Sequence, residues 1–172
     1  MIRWRAMSNP TERWRAPLAR WLAAKLAART VEVREIARLS GGYSAETLRV
    51  EASVDGQGAR YVLRREMPEP SVYPVQAPGL DVEIEIQWRA MSALAAHSKT
   101  PLSPLVGFER DPALLGAPFF VMGFVDGEVP SVAPPYASAG FFAEAAPDER
   151  RRMIEDGLSV LAGIHAVDWR AA

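Results

Sequence analysis

Three short stretches hold residue types able to do chemistry on an anionic ligand. Ser40-Gly41-Gly42-Tyr43-Ser44 lies between two strand-like segments. Glycines there let backbone N–H groups approach an anion closely, and the Ser44 hydroxyl adds a donor. A plain hairpin turn accounts for the same composition. The second stretch is Tyr61-Val62-Leu63-Arg64-Arg65, with Glu85 on a helical segment beyond it. On a strand Val62 and Arg64 share a face, so an apolar side chain and a guanidinium look the same way. Such a cation can hold phosphate-like oxygens and be held by a helix carboxylate. Solvated strand ends and a charged helix face explain these residues equally well. The third runs from Phe119 to Gly127. An apolar strand leading into an extended segment can offer a carbonyl and an N–H to the edge of a flat heterocycle. Its ordinary alternative is a buried strand ending at the Asp126-Gly127 turn.

The elements that position these stretches follow from hydrophobic period. From Pro10 to Arg29, Trp14, Leu18, Trp21, Leu22 and Leu26 recur at helical spacing. Val31 to Leu39 leads into the glycine pair. From Thr47 to Val54 the chain alternates, with Leu48, Val50, Ala52 and Val54 on one side, as in a half-buried strand. Asp55 to Gly58 is a turn by composition, and Tyr61 to Arg65 a third strand. After a proline-rich loop, Asp81 to Ala96 is helical, with Ile84, Trp88, Met91 and Ala95 on one stripe. Strands follow at Leu105 to Glu109 and Phe119 to Phe124. A Pro/Ala-rich stretch then reaches Pro147, which suits a first helical position, with Asp148 and Glu149 at the positive end of the helix dipole. Runs of antiparallel strands with one inserted helix predict an α+β fold.

Composition narrows the function classes. The chain has 172 residues, 49% of them hydrophobic, and a formal charge of -1. That balance argues against nucleic acid as the main partner, since such binders carry a basic excess. Cysteine is absent, which excludes disulfides, thiolate metal sites and a thiol nucleophile. No apolar run is long enough to span a bilayer and no signal-peptide pattern opens the chain, so a cytoplasmic location without membrane partners is expected.

Glycine loop, strand cation, helix carboxylate, apolar strand and hinge occur in the order a kinase small lobe requires. Leu39 to Ser44, Tyr61 to Arg65, Asp81 to Glu85, Phe120 to Met122 through Asp126-Gly127, and Leu161-Ala162-Gly163-Ile164-His165 together resemble the aminoglycoside phosphotransferase and choline kinase-like family. The subgroup most similar is the branch related to acyl-CoA-dehydrogenase-associated phosphotransferases. The resemblance implies a helical segment at 1–30, a kinase-like small lobe with hinge at 31–127, and a linker with the first helix of a truncated large lobe at 128–172. Within the lobe it implies a five-stranded antiparallel sheet with one inserted helix.

The resemblance also assigns roles in binding ATP. Gly41, Gly42 and Ser44 would cover the phosphates. Arg64 stands where the family has its phosphate-holding Lys or Arg, and Glu85 where it has the acidic partner. Gly123 would offer its carbonyl and Val125 its N–H to adenine, while Leu48, Val62 and Met122 pack on the adenine faces. An arginine at position 64 departs from lysine, being always charged and fork-shaped.

The family's catalytic loop of His-Gly-Asp type, its metal-binding Asn and its second metal-binding Asp have no counterpart in the sequence. The two histidines are His97 and His165, and the sole asparagine is Asn9. Magnesium is expected for the family, yet no catalytic residue and no metal ligand can be assigned here. The resemblance therefore implies a nucleotide-binding portion that is inactive alone; a non-catalytic binding or interaction module is the alternative. Phe141, Phe142, Ile154, Leu158 and Leu161 are expected to lie exposed, favouring self-association or pairing with a separately encoded catalytic lobe.

Overall fold

The structure, a computed structural model, describes residues 11–39, 45–67 and 82–170. A single 3-10 turn, Glu12–Trp14, opens into helix α1, Arg15–Leu26. Its apolar row is Trp14, Leu18, Trp21 and Leu22, all buried. The helix stops at Ala27, whose left-handed backbone (φ 50°) turns the Ala28 N–H back to the Ala23 carbonyl at 3.0 Å.

Strands β1 (Val31–Arg38), β2 (Glu46–Val54) and β3 (Gln57–Arg65) form a meander. Helix α2 (Glu83–His97) follows, then β4 (Leu105–Glu109) and β5 (Phe119–Gly123). The sheet order is β1-β2-β3-β5-β4, and every neighbouring pair is antiparallel. This is the five-stranded α+β arrangement expected from the sequence. The β2–β3 turn is tighter than its composition suggests. Asp55 (φ 48°) and Gly56 (φ 87°) make the whole turn, and Gln57 and Gly58 already pair with Val54 and Ser53. Two successive positive-φ residues match the right-handed twist of a hairpin, and Asp-Gly supplies them at low cost.

The two faces of the sheet are covered differently. On one, Leu48, Val50, Leu63, Phe119 and Val121 are fully buried beneath α1 in a cluster with Leu18 and Leu22. Fully burying each such side chain contributes about 1.5–3 kcal/mol. Trp21 adds a ring contact to Phe119, centroids 5.0 Å apart, and donates its indole N–H to Glu109 at 3.0 Å. On the other face α2 rests on aromatic rings. Trp88 stacks on Phe108 at 6.2 Å and tilts against Phe120 at 5.8 Å.

The chain divides into two compact units, residues 1–90 with 103–124 and residues 91–102 with 125–172. The first holds the sheet. The second contains a one-turn helix α3 (Phe141–Glu144), hidden in sequence by the Pro/Ala-rich stretch, and helix α4 (Pro147–His165). Pro147 occupies the first turn of α4 as expected, and Glu149 accepts the Ala146 N–H at 3.0 Å. Neither helix has a fully buried residue. Ile154, Leu158 and Leu161 are exposed as expected. Phe141 and Phe142 are half-buried instead, and the Phe142 ring meets Tyr136 edge-on at 5.3 Å.

Candidate functional site

Strand β3 alternates, so Leu63 and Arg65 belong to one face and Val62 and Arg64 to the other. The register extends each set across the sheet. Met122 lies opposite Val62, and Phe120 and Thr47 flank Arg64. Residues directly opposite in an antiparallel pair share a face and nearly touch. Val62, Arg64 and Met122 are thus brought together, with Val62 and Met122 only partly covered.

Leu48 does not join them. Its partner is Leu63, and both are fully buried on the α1 face. The alternation that puts Leu48 with Val50 in the core removes it from the face of Val62, so the expected adenine contact from Leu48 is not available there.

Arg64 and Arg65 differ sharply despite being adjacent. The Arg65 side chain is only 11% exposed and fully engaged. It donates to Glu46 at 3.0 Å and to the Leu115 carbonyl at 3.0 Å, and its guanidinium lies 4.9 Å from the Trp14 ring. Glu46, itself buried, is also paired with Arg38. Gly116, at φ +85°, keeps the β4–β5 connection clear of Arg65, because a Cβ there would stand 3.1 Å from Arg65 Nη2. Arg64 differs: its Nε is buried and, among the described residues, without a hydrogen bond. Burial pushes its guanidinium down from the ordinary value, and the Glu83 carboxylate offsets part of that shift.

The helix carboxylate expected to hold Arg64 is engaged elsewhere. Glu85 is buried and accepts from Arg89 Nη2 and Nε, at 2.6 and 3.0 Å, and from Arg110. Arg89 reaches it because it sits one turn along the same helix face. The acid whose field acts on Arg64 is Glu83, two residues earlier.

The strand exit is firmly held. The Gly123 N–H donates to the Pro104 carbonyl at 2.8 Å, and the Gly123 carbonyl accepts from the Ser103 hydroxyl. A side chain at 123 would put its Cβ 3.3 Å from the Pro104 ring, which explains glycine there. The carbonyl keeps a second lone pair for a ligand. The next N–H, of Phe124, is taken by the Arg60 carbonyl at 3.0 Å. Val125 begins the second unit and is exposed. Gly41, Gly42 and Ser44 lie outside the described residues.

Sequence reasoning missed Glu46, Arg65 and Arg110 as structural partners. Glu46 was detectable, since it shares parity with Leu48 and Val50 and must point inward with them. Arg110 carried no local signal, being 25 residues from Glu85.

This arrangement defines a class, an α+β kinase-like small lobe with an arginine on one sheet face whose buried Nε lacks a hydrogen bond among the described residues. Residues 35–172 match the model of the phosphotransferase enzyme family (APH), so the chain belongs to that family. A solved structure from Ralstonia eutropha JMP134, assigned as an aminoglycoside phosphotransferase, superposes with a TM-score of 0.63 at 23% identity. The match covers 91% of this chain and 39% of that one. The Arabidopsis thaliana protein named Probable acyl-CoA dehydrogenase IBR3 is 23% identical over 134 residues, 78% of this chain and 15% of its own. The chain therefore spans well under half the length of both. Among the described residues no helix is long and apolar enough to cross a membrane.

Proposed function

We propose that this chain is the nucleotide-binding portion of an ATP-dependent small-molecule phosphotransferase, with Arg64 as its phosphate-holding cation. The observation that carries the reading is the buried, unpartnered Nε of Arg64 on the sheet face shared with Val62 and Met122. A buried guanidinium nitrogen left without a hydrogen bond is costly unless a ligand completes it, and phosphate oxygens fit its fork. Val62 and Met122 would hold the base through apolar contact, and the Gly123 carbonyl would accept from its edge. The loop of Gly41, Gly42 and Ser44 would cover the phosphates, and Val125 would donate its N–H to the base.

Bound ATP would supply the transferable phosphoryl group. Transfer needs magnesium ligands and a positioned base. These 172 residues contain neither in the family's form, so the reading includes binding without turnover by this chain alone, in the cytoplasm. The exposed Ile154, Leu158 and Leu161 row supports association with another copy or a separately encoded catalytic lobe. Sedimentation showing a strict monomer at all concentrations would remove self-association.

Calorimetric titration with ATP tests the nucleotide site. Binding by wild type that falls at least about tenfold in Arg64→Ala is expected, the loss of roughly one charge-assisted contact. No binding by the wild-type chain, or equal binding by the variant, would sink the assignment.

A further inference from the structure

One row of residues crosses four strands on the sheet face that holds Arg64. The register sets Ala37, Arg49, Val62 and Met122 side by side on β1, β2, β3 and β5. Arg49 therefore flanks Val62 on one side as Met122 does on the other. Its terminal Nη2 is tied to two solvent-accessible carboxylates, Glu35 at 3.3 Å and Glu51 at 3.4 Å. These acids lie opposite each other in the next row along the strands, with Arg60 beside Glu51. The Arg49 Nε, nearer the strand, is buried and has no hydrogen bond among the described residues. Arg49 thus shares with Arg64 a donor that the fold leaves unused, on the same face.

Charge and strand spacing say what that donor meets. Arg49 and Arg60 against Glu35 and Glu51 leave this part of the face without net charge, which suits a neutral ring better than a phosphate. Strands β2 and β5 lie two strand spacings apart, about 10 Å. A flat base on Val62 with one edge at the Gly123 carbonyl on β5 extends across β3 toward β2. A bicyclic purine with a hydrogen bond at each end covers that span, and a single pyrimidine ring falls short of it. Arginine has donors only, so it needs an acceptor. With the amino edge of a purine at Gly123, the ring acceptors on the far side are N7 and N3. We propose that Arg49 is a specificity-determining residue, its Nε–H donating to N7 or N3 of a purine held on Val62 and Met122. The assignment rests on the nucleotide reading and adds a reader of the base opposite the strand exit.

Calorimetric titration of the full chain with ATP, 7-deaza-ATP and 3-deaza-ATP tests this. Each analogue replaces one ring nitrogen by C–H and keeps the amino group and the phosphates. Wild type should bind one of the two at least about fivefold more weakly than ATP, the effect of one hydrogen bond. In Arg49→Met that gap should close to within about twofold. Because this variant also releases Glu35 and Glu51, Arg49→Lys gives a second readout. Lysine keeps a charge for both acids but has no donor at the Nε position, so the gap should close there too. Arg64→Ala should weaken ATP and both analogues alike and keep the gap. Equal binding of ATP and both analogues by wild type, or a gap that persists in either Arg49 variant, would overturn the proposal and leave the nucleotide reading standing. A wild-type chain that binds no ATP would overturn both.

Discussion

The two faces of the central sheet show what a finished surface and an unfinished one look like. Beneath α1 a cluster of large side chains is fully buried and the buried charges are matched. Arg65 has Glu46, the Leu115 carbonyl and the Trp14 ring, and Glu46 has a second arginine. On the opposite face α2 covers only part of the strands, through Trp88. There Arg64 keeps a buried nitrogen without a partner, beside half-covered Val62 and Met122. Folding alone favours the first arrangement. The second costs stability and is tolerated where a ligand completes it.

The sharpest way to break this contrast is to exchange the fates of the two arginines. Arg65→Ala should lower the unfolding free energy by about 3–5 kcal/mol, because Glu46 would remain buried without its best partner. Chemical denaturation measures it, and a loss below about 1 kcal/mol would mean the α1 face is less tightly matched than its contacts indicate. Leu48→Ala should cost about 2–5 kcal/mol by opening a cavity in the same core. It should leave ATP affinity untouched in whatever fraction stays folded, since Leu48 is on the wrong face for the base.

Smaller effects belong to the other face. Glu85→Gln should cost about 1–3 kcal/mol, as two guanidinium groups lose a charged acceptor that is buried but reached from exposed arginines. Arg64→Met should be neutral or stabilising by up to about 1 kcal/mol while weakening ATP binding at least about tenfold. A thermal melt with and without ATP reads both effects, and a strongly destabilised Arg64→Met would show that the residue holds the fold rather than a ligand. At the bottom of the scale, Leu158→Ser on exposed α4 should change stability by less than about 0.5 kcal/mol.

Much of the fold was legible because period reports burial. The alternation from Leu48 to Val54 marked a strand and its inner face, and Pro147-Asp148-Glu149 marked the start of α4. Short or composite features were not legible. The four-residue α3 has too few residues for a helical period, and the two-residue turn at Asp55-Gly56 was blurred by the Gly58 that follows in the strand. Within the site, the parity of β3 correctly joined Val62 to Arg64. The same parity on β2 already placed Leu48 with Val50, and applying it strictly would have kept Leu48 out of the site.

By itself the sequence determined the order of elements, the strand parity that sets Arg64 and Arg65 on opposite faces, and the family. Those properties depend on neighbours along the chain, where period and turn chemistry act. Only the tertiary structure decided which charges pair. Glu85 was the acid the resemblance assigned to Arg64, yet Arg89 and Arg110 hold it, and the carboxylate whose field reaches the cation is Glu83. Ion pairing is settled by distance and desolvation after strands and helix have been packed, and residues 25 positions apart along the chain can then outcompete the expected partner.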